Sequence, residues 1–329
     1  MPTAVLVRNA FHSLGGMRTV RWMRRGKATV VMYHGFSSDH APLERHCNYL
    51  RKYYNVVSVA CLSMLLSSGK PLPEWTVAIT VDDGHRNFYE HAFPVFAKYQ
   101  IPSTVYLVTK PIDERGWLWF DRVGYAVSHS QRNAVELPLF PGEKRSETIE
   151  LGGEEQRSQV AAELIERLKN IPNTAMRRFV GDLEYALDVE LPTEPPSEYG
   201  VVTWDEVRAM ARDSRVEVGF GAHTVTHPIL SQLDSAAEEE EEIRQAKNRI
   251  EAELDRPAAH FAYPNGRPED ISKRIVDAVR RAGYETAMTT SSGQVCRGAD
   301  PCLLKRISCD AVMPEWQFRQ RVAAFRVRG

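Results

Sequence analysis

Two carboxylates stand side by side at Asp82 and Asp83, and two imidazoles stand four residues apart at His223 and His227. Adjacent carboxylates ending a buried strand are costly unless something uses them. Their side chains leave the chain to different sides, so one can bind a cation while its neighbour faces a reacting atom. A His-x-x-x-His spacing puts both rings on one side of a helical turn, an arrangement that suits a divalent transition metal. Each signal alone has an ordinary reading. Asp-Asp-Gly is a common turn, and surface helices often carry histidines four apart. Their joint occurrence, each at the end of a predicted strand, favours chemistry. One carboxylate with two neutral imidazoles leaves coordination positions open for water and substrate, which is the pattern of a catalytic site.

The elements that must position these residues alternate between strand and helix, which predicts a parallel α/β architecture. Strands are predicted at 30–33, 56–59, 77–81, 104–108, 216–220, 260–263 and 285–288. Helices are predicted at 87–99, with a kink or late start at Pro94, and at 204–213, with Thr203 as N-cap. Two more are predicted at 235–254 and at 269–281, the latter stopped by Gly283. The run Glu238 to Glu242 suits the positive end of a helix dipole and reads as a solvated face. His34, Asp82, Asp83, His223 and the Pro264-Asn265-Gly266 turn all follow strand ends. In a parallel barrel those ends gather at one mouth, so clusters far apart in sequence are expected to meet. Residues 112–202 break the rhythm with Pro-Gly, Gly-Gly and Pro-Pro pairs, and read as a largely helical insertion forming a lid or substrate wall. The chain divides into a basic arm at 1–27, a catalytic domain at 28–310 and a C-terminal helix at 311–329.

Composition narrows the class. The 329 residues are 43% hydrophobic and 26% charged with a net charge of −1, which fits a globular fold and gives no general attraction to nucleic acid. Five cysteines without a Cys-x-x-Cys pair read as reduced, mostly packed thiols. No stretch approaches the roughly 18–20 apolar residues of a membrane span. Residues 4–17 make a poor signal peptide, because Arg8, Asn9 and His12 interrupt the apolar run, so a cytoplasmic location is expected. Arg18, Arg21, Arg24, Arg25 and Lys27 interleave with Trp22 and Met23. Such a segment either rests on anionic lipid at the inner face of the membrane or packs as a surface arm.

The segment AITVDDGHRN at 78–87, continued by FPVF at 93–96 and IPSTVY at 101–106, resembles the first signature of the polysaccharide deacetylase family (NodB-homology, carbohydrate esterase 4). AHTVTHP at 222–228, led by Trp204-Asp-Glu-Val, resembles its second, and FAYPNG at 261–266 its third in the form used by one subgroup. The likeness covers most of 28–110 and 200–310 and omits the insertion. It implies a distorted (β/α) barrel with fewer than eight regular strands, and hydrolysis of an N-acetyl group on a sugar or polysaccharide precursor.

By the same resemblance, Asp83, His223 and His227 would hold a divalent metal, Zn2+ by expectation, and Asp82 would be the general base. The backbone N–H of Asn265 would help hold the oxyanion. Many family members draw the general acid from a C-terminal histidine, but no histidine follows His260 here. Met32-Tyr33-His34 resembles the Met-Tyr-His of poly-N-acetylglucosamine deacetylases, which makes His34 the candidate acid; a histidine that merely orients a loop is the other reading. Ala262 stands where many members carry an arginine that orients the base. Arg306 would supply a similar guanidinium, or else be a surface arginine. Trp117, Trp119, Phe120 and Asp121 open the insertion, where aromatic faces would stack on sugar or simply pack on the barrel. Two readings compete with deacetylation: deformylation or other C–N hydrolysis on a lipid-linked or small substrate, and a carbohydrate-binding pseudoenzyme.

Overall fold

The computed structural model describes residues 26–138 and 146–323. The basic segment 18–25 and the last six residues of the expected C-terminal helix lie outside the described residues. Seven parallel strands close into a barrel: β1 (Thr29–Tyr33), β3 (Thr76–Val81), β4 (Ser103–Leu107), β7 (Val218–Ala222), β8 (His260–Ala262), β9 (Thr286–Ser292) and β10 (Leu304–Ser308). The ring closes where β1 pairs with β10 on one side and with β3 on the other. A short eighth strand, β2 (Asn55–Val57), pairs with residues 76–78 of β3, while residues 79–81 pair with β4.

Strands β1, β3 and β4 are buried at every position. Their near-continuous apolar runs follow from that, since a parallel barrel strand faces side chains within and helices without. The helices come from amphipathic stretches. The helix α1 (Ala41–Tyr53) follows β1, and α2 (Val59–Ser67) follows β2. Ahead of α3 (Phe93–Tyr99) the chain makes a π-helical turn at Phe88–Ala92, where the Phe93 N–H bonds the carbonyl of Phe88. Pro94 lacks an N–H for an α ladder, and the turn before it widens accordingly.

Residues 109–202 form the insertion. It opens with α4 (Thr109–Glu114) and α5 (Trp119–His129), and continues with α6 (Glu154–Leu168) and α7 (Asn173–Leu187). Between α5 and α6 lies an antiparallel hairpin, β5 (Ala134–Pro138) with β6 (Ser146–Glu150). The insertion is largely helical as expected, and the hairpin adds a strand pair to it: Val135 and Leu137 are buried on either side of exposed Glu136, a two-residue period. The insertion has its own apolar cluster, with Val123, Val127, Leu164, Phe179, Val180 and Leu183 among its members.

The remaining helices are α8 (Trp204–Arg212), α9 (Ala236–Leu254), α10 (Lys273–Arg281) and α11 (Glu315–Val322). Thr203 caps α8 in a full capping box with Glu206, as its sequence predicts. Other boundaries moved. The strand expected at 216–220 lies two residues later, and the one expected at 285–288 runs to Ser292. The helix expected from 269 starts at Lys273, because Ser272 caps it and Pro268–Asp270 forms a separate 3-10 turn. All five cysteines are free thiols, with Cys47, Cys302 and Cys309 buried.

Candidate active site

The strand ends converge as the alternation requires. β1 delivers His34, β3 delivers Asp82 and Asp83, β7 delivers His223, and β8 leads into the turn at Asn265. Asp83 and Asn265 take left-handed backbone conformations (φ +72° and +56°), as do the glycines that follow them. A Cβ at Gly84 would sit 3.0 Å from Leu107 Cδ2, so the leucine would have to give; at Gly266 it would sit 2.9 Å from the carbonyl of Tyr263, which leaves no room for a side chain.

Asp82 is almost fully buried, and both its oxygens are held. Arg306 on β10 donates from Nη1 to Oδ1 at 2.6 Å and from Nη2 to Oδ2 at 2.7 Å. Arg306 is itself 1% exposed and also donates from Nε to the carbonyl of Thr289. The surface-arginine reading is thus excluded, and the guanidinium does arrive from a different strand. Burial alone would push the Asp82 carboxyl upward; Arg306, and after it His223, overrides this and holds it below the usual carboxylate range. His34, half exposed, places Nε2 3.8 Å from Asp82 Oδ2.

Asp83 faces the two histidines. Its Oδ1 lies 3.5 Å from His223 Nε2 and 3.3 Å from His227 Nε2, with all three side chains buried. A tetrahedral cation with bonds of about 2.0–2.1 Å holds its ligand atoms roughly 3.3–3.4 Å apart, and these two distances match it closely. His223 donates from Nδ1 to the Ala262 carbonyl at 2.7 Å, which presents Nε2 as a bare lone pair toward the centre. The residues fit a divalent metal. Burial would raise the Asp83 carboxyl, yet the two imidazoles hold it well below its ordinary value. For His227, burial wins over Asp83 and lowers the ring's pKa, which favours the neutral form that ligates.

The histidine pair corrects one expectation. Residues 223–227 form no helical turn; they are a loop in which Thr224 and His227 both have left-handed φ (+69° and +59°). The rings meet because the loop folds back, not because of helical spacing. Glu242 holds that loop, accepting from the N–H groups of Val225 and Thr226 and from the Thr226 hydroxyl. The glutamate run is thus more than a solvated face. Glu239 is 1% exposed and paired with Arg274, and Glu242 turns toward the site because α9 packs along β7.

Asn265 donates from its side chain to Asp270, and its carbonyl accepts from Thr290 Oγ1. Its own N–H has no partner among the described residues. Two residues had no assigned role in the sequence. His85 donates from Nε2 to Asp121 Oδ2 at 2.8 Å and points Nδ1 toward Asp83 Oδ2 at 4.0 Å. Burial would lower His85, but Asp121 and then Asp83 overcome it and raise the imidazole to about 9. His85 adjoins the Asp-Asp-Gly motif and Asp121 opens the insertion, so only their pairing was hidden.

The family model described as polysaccharide deacetylase matches residues 69–287. The chain belongs to the polysaccharide deacetylase family. These are hydrolases of N-acetyl amide bonds. Among curated relatives, YxkH of Bacillus subtilis (strain 168) is 27% identical over 121 residues, which is 34% of this chain and 43% of that protein. The poly-beta-1,6-N-acetyl-D-glucosamine N-deacetylase of Escherichia coli (strain K12) is 42% identical over 50 residues, 15% of this chain and 7% of its own length. The chain thus aligns with less than half of either curated relative. Two solved structures share the fold. The deacetylase PplD of Streptococcus pyogenes, in complex with acetate, has a TM-score of 0.57 at 17% identity, covering 91% of this chain and 99% of that one. IcaB from Ammonifex degensii has a TM-score of 0.57 at 18% identity, covering 91% and 97%. The shared fold therefore covers more of the chain than the motif-bearing segments alone.

Proposed function

We propose that this polysaccharide deacetylase removes an N-acetyl group from a sugar or glycan precursor, with a divalent metal, most suitably Zn2+, held by Asp83, His223 and His227. The observation that carries the reading is the three-ligand cluster set directly beside a carboxylate clamped by arginine. When bound, the metal supplies Lewis acidity, polarising the acyl carbonyl and acidifying a water at its side.

The chain's own residues do the rest. Arg306 fixes both oxygens of Asp82 and keeps it ionised, so Asp82 is ready to take the proton of the attacking water. The free N–H of Asn265 is a fixed donor for the oxyanion. His34 sits beside Asp82 at the solvent edge, where it can pass a proton to the departing amine. A groove of about 460 Å³ opens at the same end of the barrel, lined by His34, Phe36, Ser37, Cys309, Asp310 and Val312. Mixed apolar and hydroxyl-binding walls of this kind suit a sugar ring.

The test is metal content together with acetate release from N-acetylglucosamine oligomers, with N-formyl sugars in parallel. Acetate release with bound metal, abolished in Asp82→Asn, supports the proposal. Formate release alone would move the reading to a deformylase. Bound metal with no release from any glycan would make the protein a carbohydrate-binding module.

A further inference from the structure

The two histidines of the cluster are held differently. His223 is oriented through its own ring, by the Nδ1 bond to Ala262. His227 Nδ1 is buried and has no partner among the described residues. Its backbone is in the left-handed region, which is strained for a non-glycine residue and persists only where neighbours enforce it. Those neighbours include the insertion. Trp119 donates its indole N–H to the His227 carbonyl at 3.2 Å, and the Phe120 ring meets the imidazole edge-on at 5.2 Å. Arg177 on α7 donates to Thr226 Oγ1 at 2.8 Å. Asp121, next in sequence after Phe120, binds His85, whose other nitrogen faces the second oxygen of Asp83. The exit of the insertion pins the segment that follows Asp83, with Val202 N–H bonded to the Gly84 carbonyl and Arg86 N–H to the Gly200 carbonyl.

We infer that the insertion is part of the metal centre, with Trp119, through the His227 carbonyl, and Asp121, through His85, acting as positioning residues for two of the three ligands. Metal-ligating groups need outer partners to fix their orientation; the barrel supplies a ring partner for His223, while Glu242 and Thr224 hold the backbone of the His227 loop. The groups at the His227 carbonyl and ring, and the partner of His85 beside Asp83, come from the first turn of α5. The aromatic pair at 119–120 thus packs against the ligand loop, and Trp119 spends its indole N–H there.

This inference rests on the metal-site reading above, and the experiment separates the two. Metal affinity is measured by competition with a chromophoric chelator, alongside the visible spectrum of the Co2+ form. The set is the wild type, Asp83→Ala, Trp119→Phe, Asp121→Ala and Arg122→Gln. Trp119→Phe keeps an aromatic side chain but removes the indole N–H donor together with part of the ring's packing. Arg122→Gln breaks the Arg122–Glu184 pair inside the insertion without removing a bond to the ligand loop, and controls for loss of stability. Trp119→Phe and Asp121→Ala are expected to weaken affinity about 10- to 100-fold and to shift the Co2+ bands, while Arg122→Gln lowers the melting temperature and leaves affinity within twofold. If both positioning variants bind like the wild type, or if Arg122→Gln weakens binding equally, the insertion only packs against the site and the inference fails. A wild type that binds no better than Asp83→Ala overturns the metal reading and this inference with it.

Discussion

Asp82 and Asp83 are consecutive residues, both buried, yet their surroundings follow opposite rules. Around Asp82 every charge is answered: a guanidinium with 0% side-chain exposure meets both oxygens, and its Nε is bonded to a carbonyl. Around Asp83 three acceptor atoms crowd within 4.8 Å of one another, with no cation from the chain between them. The first arrangement is electrostatically complete and holds a group in one protonation state. The second is complete only with something added. A residue that must stay ionised while protons pass it gains from a fixed counter-charge; ligands gain from lone pairs left bare.

The sharpest way to break the comparison is to remove charge from each side separately. Asp82→Asn keeps the shape of the pocket and is expected to cut deacetylation about 10²- to 10⁴-fold while metal stoichiometry stays near that of the wild type. If metal is lost with it, the two halves are not independent. Arg306→Met leaves a carboxylate buried without its partner. We expect a loss of about 3–5 kcal/mol in urea unfolding, and a smaller loss in the double variant with Asp82→Asn, because no orphan charge then remains.

On the other side, adding Zn2+ to chelator-treated protein should stabilise it by about 2.7 kcal/mol at a hundredfold excess over Kd. That increment should vanish in His223→Ala and persist in Arg306→Met. Calorimetry of the three proteins, with and without Zn2+, reads this directly.

The last effect comes from two histidines outside both halves, and it isolates what acid does to the barrel alone. Burial lowers His46 and His260 to about 4 from the usual 6.5. The unfolded chain therefore takes up these protons first as pH falls. Their stabilising contribution is fully present above 6.5 and is lost between 6.5 and about 4. Metal-free protein should melt progressively lower across that window, and His260→Asn should flatten the slope. An unchanged slope in that variant would assign the acid sensitivity elsewhere.

Much of this was legible in residue order. The strand–helix alternation follows from apolar runs punctuated by Gly, Pro and Asp, and it predicts that Asp82, Asp83, His223 and Asn265 share a mouth. They do. Local spacing misled where backbone conformation mattered: His223 and His227 read as a helical pair, but Thr224 and His227 lie in left-handed conformations that only surrounding bonds can enforce. The pairing of 134–138 with 146–150 is not legible in the sequence, because its few alternating residues sit among turn formers.

What the sequence alone determined is the chemistry and its address, since motif residues are fixed by covalent neighbours and strand ends by hydrophobic periodicity. The tertiary structure decided how each group is held. Arg306 reaches Asp82 from 224 residues away, Asp121 reaches His85 from 36, and Glu242 reaches the ligand loop from a glutamate run that reads as solvent-facing. Long-range pairs of charge and hydrogen bond leave no local pattern, because burial at one place is set by chain that arrives from another.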